Sequence, residues 1–375
     1  MEFVNLSNIC DVYSGYAFKN FNDKKEGKPV IKIRNIKIDG TINKFDCSYT
    51  NEVPLEKFYS QKEDLYIALS GATTGKVGIM DEEGYLINQR VGVIRKKDIN
   101  VPINYIKVFL DSITGKILKD AVGAAQPNIS PKDILKYKFP LRRYDEMVKI
   151  SNIFTNINNK INICKKYILN LDDIVKSQFI EMFENKGFEL LPIKELVDIK
   201  KISAKKKFNS DEAIKYIDIS SIDNERNVIK GYTNYLMKDA PSRAQQCLKK
   251  NDILISTVRP NLKNIAIFKD DDLYYVGSSG FCILRAKNVN SDYLKYVVLD
   301  DKFTNAMADL TTGASYPAIR DDDVLNYLMI NAPIELQNKF ADFVQQIDKS
   351  KFIVQKQIKL LEELLEKKMN EYFGQ

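Results

Sequence analysis

Ala124-Ala125-Gln126-Pro127-Asn128-Ile129-Ser130-Pro131-Lys132-Asp133-Ile134-Leu135 is answered 190 residues later by Ala314-Ser315-Tyr316-Pro317-Ala318-Ile319-Arg320-Asp321-Asp322-Asp323-Val324-Leu325. Pro127 matches Pro317, Ile129 matches Ile319, Asp133 matches Asp323 and Leu135 matches Leu325. The same offset lays Lys149-Ile150-Ser151-Asn152-Ile153-Phe154 over Lys339-Phe340-Ala341-Asp342-Phe343-Val344, and Glu181-Met182-Phe183 over Glu371-Tyr372-Phe373. A period near half the chain length signals a duplicated structural unit.

Upstream the match is looser and the offset drifts, as it does where loops differ in length. Leu65-Tyr66-Ile67-Ala68-Leu69-Ser70 follows Asp64 much as Ile253-Leu254-Ile255-Ser256-Thr257-Val258 follows Asp252, and Val93-Ile94-Arg95 parallels Ile283-Leu284-Arg285. Each half therefore has a divergent front and a better-matched back. Two similar scaffolds with dissimilar surfaces predict one task performed on two different targets.

The fronts read as mixed α/β. Short apolar or alternating runs at 30–36, 64–69, 76–80 and 91–94, punctuated by Gly, Asn and Asp, predict strands. Apolar residues recurring at three and four predict helices over 104–119 and 292–308. The backs read as long helices. Ile150, Ile153, Ile157, Ile161, Cys164, Ile168, Leu171, Val175, Gln178 and Met182 step by three or four, as do Phe340, Phe343, Ile347, Lys351, Val354, Ile358, Leu361, Leu365, Lys368 and Tyr372. Pro140 and Pro333 precede these runs and Gly187 and Gly374 follow them as stop signals. Each helix would extend about 50 Å at about 1.5 Å per residue. The second front begins where the first helix ends, and the second helix begins where that front ends. Connectivity thus predicts an antiparallel coiled coil that spaces the two fronts, at a separation comparable to one DNA turn of about 34 Å.

Composition narrows the chemistry. With 375 residues and 44% hydrophobic content the chain is long enough for two to three globular domains. A formal charge of +7 and a pI near 8.8 permit a polyanionic partner without identifying one. Histidine is absent, which removes Ser-His-Asp, Cys-His and His-ligated metal chemistry together. Five scattered cysteines (Cys10, Cys47, Cys164, Cys247, Cys282), with no CxxC pair, predict reduced thiols in a cytoplasmic protein and no zinc. The start lacks a basic region followed by an apolar run, and no stretch approaches 18 apolar residues, so neither signal peptide nor membrane span is expected.

Ser70-Gly71-Ala72-Thr73-Thr74-Gly75-Lys76 resembles a phosphate loop but fails on spacing, with three residues between its glycines and Val77 after the lysine. It reads as a turn between strands, with Thr73, Thr74 and Lys76 as candidates to touch DNA as well. No Asn/Asp-Pro-Pro-Tyr/Phe methylase motif occurs, so the chain is expected not to methylate DNA itself. Side chains suited to base edges are Arg, Asn, Gln, Lys and Ser/Thr in loops between strands. In the first front these are Arg34, Asn35, Asn88, Gln89, Arg90, Gln126 and Asn128. In the second they are Lys205, Lys206, Lys207, Arg243, Gln245, Arg259, Asn261, Ser278, Ser279 and Tyr316. Each has the plain alternative of being a solvated loop residue. Asp270-Asp271-Asp272 reads as a hairpin tip, and Asp321-Asp322-Asp323 as a helix start where acids suit the dipole; a nuclease centre is the less economical reading. The apolar stripes of the helices read as their mutual seam and their contact with the fronts, leaving their flanks for partner subunits.

In this order, and appearing twice, these features resemble the specificity (S) subunits of Type I restriction-modification systems over essentially the whole chain. The carriers are the openings Leu6-Ser7-Asn8-Ile9-Cys10-Asp11-Val12 and Ile193-Lys194-Glu195-Leu196-Val197-Asp198-Ile199, the strands after Asp64 and Asp252, the turns around Pro127 and Pro317, and each proline-led entry into a long helix. The resemblance implies target-recognition domains over 1–142 and 188–332 and spacer helices over 143–187 and 333–375. It implies a non-catalytic subunit that reads an asymmetric bipartite site in double-stranded DNA. Its partners would be two methyltransferase subunits using S-adenosylmethionine and, where restriction is present, ATP- and Mg-dependent translocase/nuclease subunits. Tyr316 and Ala318 stand where the first turn has Gln126 and Asn128, so equivalent DNA roles do not carry over there. The rival readings are a coiled-coil scaffold that no longer reads DNA and an autonomous nuclease.

Overall fold

The computed structural model describes residues 2–22, 25–37, 39–121, 127–224, 226–312 and 317–374. The chain divides into two compact units, Met1–Lys166 with Gln355–Gln375, and Tyr167–Val354. The division falls inside the two long helices, Tyr144–Phe183 and Ile334–Phe373.

Each unit is built on a four-stranded antiparallel sheet with one strand order. In the first unit it runs Cys10–Ser14, Val91–Lys96, Leu65–Ala68, Val77–Ile79; in the second, Val197–Asp198, Phe281–Ala286, Ile253–Ser256, Ile265–Ile267. A second sheet pairs Lys28–Ile31 in parallel with Leu86–Ile87, and its counterpart pairs Ala213–Ile217 in parallel with Tyr275–Ser278. The second copy adds the strand Ala244–Cys247 on the outer side of Tyr275–Ser278. A two-strand ribbon closes each front, Glu2–Asn5 with Lys138–Leu141 and Leu190–Pro192 with Leu328–Ile330.

The central strands read as continuous apolar runs because both their faces are covered. Leu65 and Ile67 join the core that also holds Phe109, Phe139 and Phe154, while Tyr66 and Ala68 face Ile31, Ile87 and Val93 between the sheets. Ile253 and Ile255 pack with Tyr293, Phe303 and Phe340, and Leu254 faces Ile217 and Phe281. Each such fully buried side chain contributes about 1.5–3 kcal/mol.

Both central strands are also pinned by the same ion pair. Arg95 donates to both carboxylate oxygens of Asp64 at 2.8 and 2.7 Å, and Arg285 to both of Asp252 at 2.8 and 2.6 Å. Each aspartate is buried and also accepts a backbone N–H, from Gln61 and from Lys249, at 2.8 Å. Hydrogen bonding to these carboxylates raises both guanidinium groups above their ordinary value.

The helices are anchored by aromatic residues within each unit. Phe154 lies 6.0 Å from Phe373, ring to ring, and Lys165 meets Glu362 at 3.9 Å, so in the first unit the two helix segments run in opposite directions. In the second, Phe183 lies 5.4 Å from Phe340, and Lys351 pairs with Asp172 at 2.5 Å. Met182, which the stepping read from sequence places on the seam, packs half-buried against this core, and its neighbour Phe183 buries fully there.

Four local expectations need correction. The strand expected over 30–36 ends at Ile31, because the chain turns through a 3-10 segment, Ile33–Asn35. The helix expected over 292–308 is two, Ser291–Leu299 and Asp301–Asp309; Asp300 adopts an extended conformation and its carboxylate caps the second by accepting the Lys302 N–H at 2.8 Å. The helix over 104–119 likewise breaks at Ile113 into Ile103–Ser112 and Thr114–Asp120. Asp270, Asp271 and Asp272 form no hairpin tip, since Ile265–Ile267 and Tyr275–Ser278 belong to different sheets.

Candidate nucleic-acid interface

In the first unit three loops meet where the strand Leu65–Ala68 ends. Leu69 donates its N–H to the Arg90 carbonyl at 3.0 Å, Ile129 donates to the Leu69 carbonyl at 2.9 Å, and Gly71 donates to the Pro127 carbonyl at 3.2 Å. The junction opens on a cleft of about 720 Å³ whose lining includes Ser14, Ser70, Gln89, Arg90, Asn128 and Ser130. Gly15 sits in its wall because a Cβ there would stand 2.3 Å from the Ile87 carbonyl oxygen. The Ser70 hydroxyl is buried at this cleft and finds no hydrogen-bond partner among the described residues.

The second unit repeats the wiring. Thr257 donates to the Gly280 carbonyl at 3.0 Å, Ile319 to the Thr257 carbonyl at 2.9 Å, and Arg259 to the Pro317 carbonyl at 2.8 Å. Strand register, Ala68 opposite Val91 and Ser256 opposite Phe281, fixes the equivalences: Arg259 falls on Gly71, Lys263 on Gly75 and Gly280 on Arg90. The backbone agrees, since all four turn residues are left-handed, Gly71 at φ 87°, Gly75 at 82°, Arg259 at 50° and Lys263 at 50°. Lys263 uses its position structurally, donating to the Leu299 carbonyl at 3.0 Å and pairing with Asp301 at 2.6 Å. Arg259 and Asn261 are exposed on this turn, and Ser279, also exposed, donates its N–H to the Arg243 carbonyl at 2.8 Å.

Of the sequence candidates, Gln89, Arg90 and Asn128 come together at the first cleft, with Asn88 ordering the turn by accepting the Arg90 N–H at 3.3 Å. Thr73 and Lys76 are half-buried in the adjoining turn, whose Lys76 N–H bonds the Thr73 carbonyl at 3.0 Å. Arg34 is tied to Asp46 at 3.5 Å. Arg243, Gln245, Arg259, Asn261 and Ser279 are exposed in the second unit, Gln245 donating to the Ser242 carbonyl at 2.9 Å. Lys205, Lys206 and Lys207 are exposed on the short helix Ala204–Lys207, where Lys207 is spent on the Leu273 carbonyl and lies 4.6 Å over the Phe208 ring. Gln126 and Tyr316 lie outside the described residues.

Three candidates are corrected. Asn35 is buried, accepting the Lys32 N–H at 2.9 Å and donating to the Asn43 and Asp46 carbonyls at 2.8 and 2.9 Å, so it holds the 3-10 turn rather than facing a ligand. Thr74 is buried with its hydroxyl donated to the Gly71 carbonyl at 2.7 Å. Ser278 is buried and accepts the Gly280 N–H at 3.1 Å. Sequence reading missed Ser70 and Ser130, which nothing in their local pattern distinguishes from ordinary turn serines.

The acidic runs are spent on structure. Asp271 pairs with Lys250 and Asp272 with Lys215, each at 2.6 Å, Asp321 pairs with Lys201, and Asp323 accepts the Arg320 N–H at 2.7 Å. Among the described residues no group of three or more Cys, Asp or Glu side chains is placed to hold a metal ion, and no helix is long and apolar enough to cross a membrane. Burial pushes the Cys10 thiol up to about 12 and raises Cys47, Cys247 and Cys282 as well, which keeps these thiols protonated and unreactive.

The sequence pattern of the Type I restriction modification DNA specificity domain matches this chain twice, over 1–171 and 185–363. The chain belongs to that family. It is a DNA-specificity subunit of the Type I class, whose catalysis resides in partner methyltransferase and restriction subunits. Among curated relatives, the specificity subunit of the Type I restriction enzyme MjaVIII of Methanocaldococcus jannaschii is 23% identical over 360 residues, covering 88% of this chain and 82% of that protein. The HindI specificity subunit of Haemophilus influenzae is 29% identical over 153 residues, 39% of this chain and 32% of that one. The S subunit of the Type I system of M. genitalium, known from its crystal structure, shares the fold with a TM-score of 0.57 at 14% identity, covering 98% of this chain and 95% of that one.

Proposed function

We propose that the two units of this specificity subunit read the two halves of one asymmetric, bipartite DNA site. The observation that carries the reading is the shared junction: one hydrogen-bond frame presents Gln89, Arg90 and Asn128 in the first unit and Arg259, Asn261 and Ser279 in the second. A common frame with different donors and acceptors is what two different base sequences require. Arg243, Gln245, Lys205 and Lys206 extend the second surface, while Arg34, Thr73 and Lys76 flank the first. The long helices set the gap between the half-sites as an antiparallel coiled coil. Their exposed apolar residues, Ile163 and Leu169 on one and Phe352 and Ile353 on the other, form the docking surface for two methyltransferase subunits.

In this assembly S-adenosylmethionine is bound by the methyltransferase, and ATP and Mg by a restriction subunit where one is present. The complex works in the cytoplasm on double-stranded DNA. The test is to co-express the chain with its methyltransferase in a methylation-free host and to map modified adenines by long-read sequencing. One bipartite motif that vanishes without this chain is the expected result. A soluble, assembled complex that leaves no motif would favour the scaffold reading instead.

A further inference from the structure

Arg90 and Arg259 are exposed arginines of the two junctions, and they stand at different positions of the same frame. In the first unit the arginine follows the 88–90 turn and glycine occupies the 71 position. In the second the arginine occupies the equivalent of 71 and glycine the equivalent of 90. No hydrogen bond or ion pair engages the Arg90 side chain among the described residues, whereas Arg34, Arg95, Arg142, Arg143 and Arg285 are all tied to acceptors. Arg259 holds a left-handed backbone, φ 50° and ψ 63°, directly before Pro260, at a position its sister unit gives to glycine. Strain kept on a long exposed cation, where glycine satisfies the fold, points to a use for the side chain. A guanidinium fork matches one base edge in the major groove, the O6 and N7 acceptors of guanine.

We propose that Arg90 and Arg259 each read one guanine, Arg90 in the half-site bound by the first unit and Arg259 in that bound by the second. The inference rests on the DNA-reading function above and adds the base identity. Because the two arginines occupy different backbone positions of the frame, the guanines occupy different register positions in their half-sites.

The experiment is methylome mapping of the assembled complex carrying Arg90→Ala, Arg90→Lys or Arg259→Gly, with melting temperature and complex yield measured on the same preparations. The wild-type motif should contain a specified G·C pair in each half. Each Ala or Gly variant should relax one G·C position in its own half-site, cutting discrimination there about 5- to 150-fold, and leave the other half-site intact. Arg90→Lys, which keeps the charge and loses the fork, should also relax its position. Uniformly weaker methylation with unchanged base preference would reduce the arginines to phosphate contacts and overturn the proposal, as would a motif whose half lacks G·C. A wild-type complex without any bipartite motif would overturn the underlying function instead, so the two failures are distinguishable.

Discussion

Gly71 and Arg259 occupy one backbone position in the two units, as do Arg90 and Gly280, yet each pair has a single charged member. The ion pairs Asp64–Arg95 and Asp252–Arg285 lie at the other ends of the same strands and are chemically identical. The difference separates two demands on a duplicated unit. Where side chains hold strands together, both copies keep the same chemistry. Where the frame faces outward, the copies keep only the dihedral angles and exchange the side chains.

The largest effect expected from this contrast is at the shared end. Asp252→Ala would leave Arg285, with 17% of its side chain exposed, without its carboxylate, and should destabilise the second unit by about 3–5 kcal/mol. Asp64→Ala should act in the same direction on the first unit, with a loss at the lower end because Arg95 keeps more solvent contact. Denaturant unfolding of the full chain reads both. If either variant folded with normal stability but altered the methylation motif, the pair would belong to the reading surface and the contrast would collapse.

This contrast also explains what could be read from sequence. Pro127 and Pro317, Asp64 and Asp252, Arg95 and Arg285 are visible as repeats because identical contacts preserved identical residues, and the long helices are visible because their buried faces recur every three or four positions. The Gly71–Arg259 and Gly75–Lys263 equivalences are invisible, since a left-handed residue leaves a signature only when it is glycine. The strand Ala244–Cys247 is reduced in the first unit to the single antiparallel bridge Tyr59–Leu86, too short to leave a matching run. Asn35, Thr74 and Ser278 carried base-reading chemistry, but the direction of a short polar side chain is decided by the backbone groups that fold around it: the Asn43 and Asp46 carbonyls for Asn35, the Gly71 and Pro127 carbonyls for Thr74, and the Gly280 N–H for Ser278.

Asn35 offers an intermediate test. Its amide holds three backbone groups of the 3-10 turn, so Asn35→Ala should cost about 1–3 kcal/mol, the penalty of buried polar groups left unpaired. The methylation motif of the assembled complex should stay unchanged at temperatures where the variant is folded. A shift in base preference without loss of stability would return Asn35 to the interface and blur the division between frame and surface.

The smallest effect is expected at the left-handed turn. A left-handed conformation costs an L-residue about 1–2 kcal/mol, and glycine avoids that cost while adding about 0.5–1 kcal/mol of unfolded-state entropy. Relief of the backbone in Arg259→Gly should therefore return up to about 1 kcal/mol to the second unit, set against the contact the side chain itself makes, so the melting temperature should change little even as the side chain assigned to base reading is lost. Lys263→Gly relieves the same backbone conformation but forfeits the bonds to Leu299 and Asp301, so its net change should be near zero or negative. The pair of variants compares what two side chains contribute to the fold at two left-handed positions. A loss of stability at 259 as large as the loss at 263 would mean that Arg259, like Lys263, serves the fold, and the second junction would then have lost its best reason for keeping an arginine where the first keeps glycine.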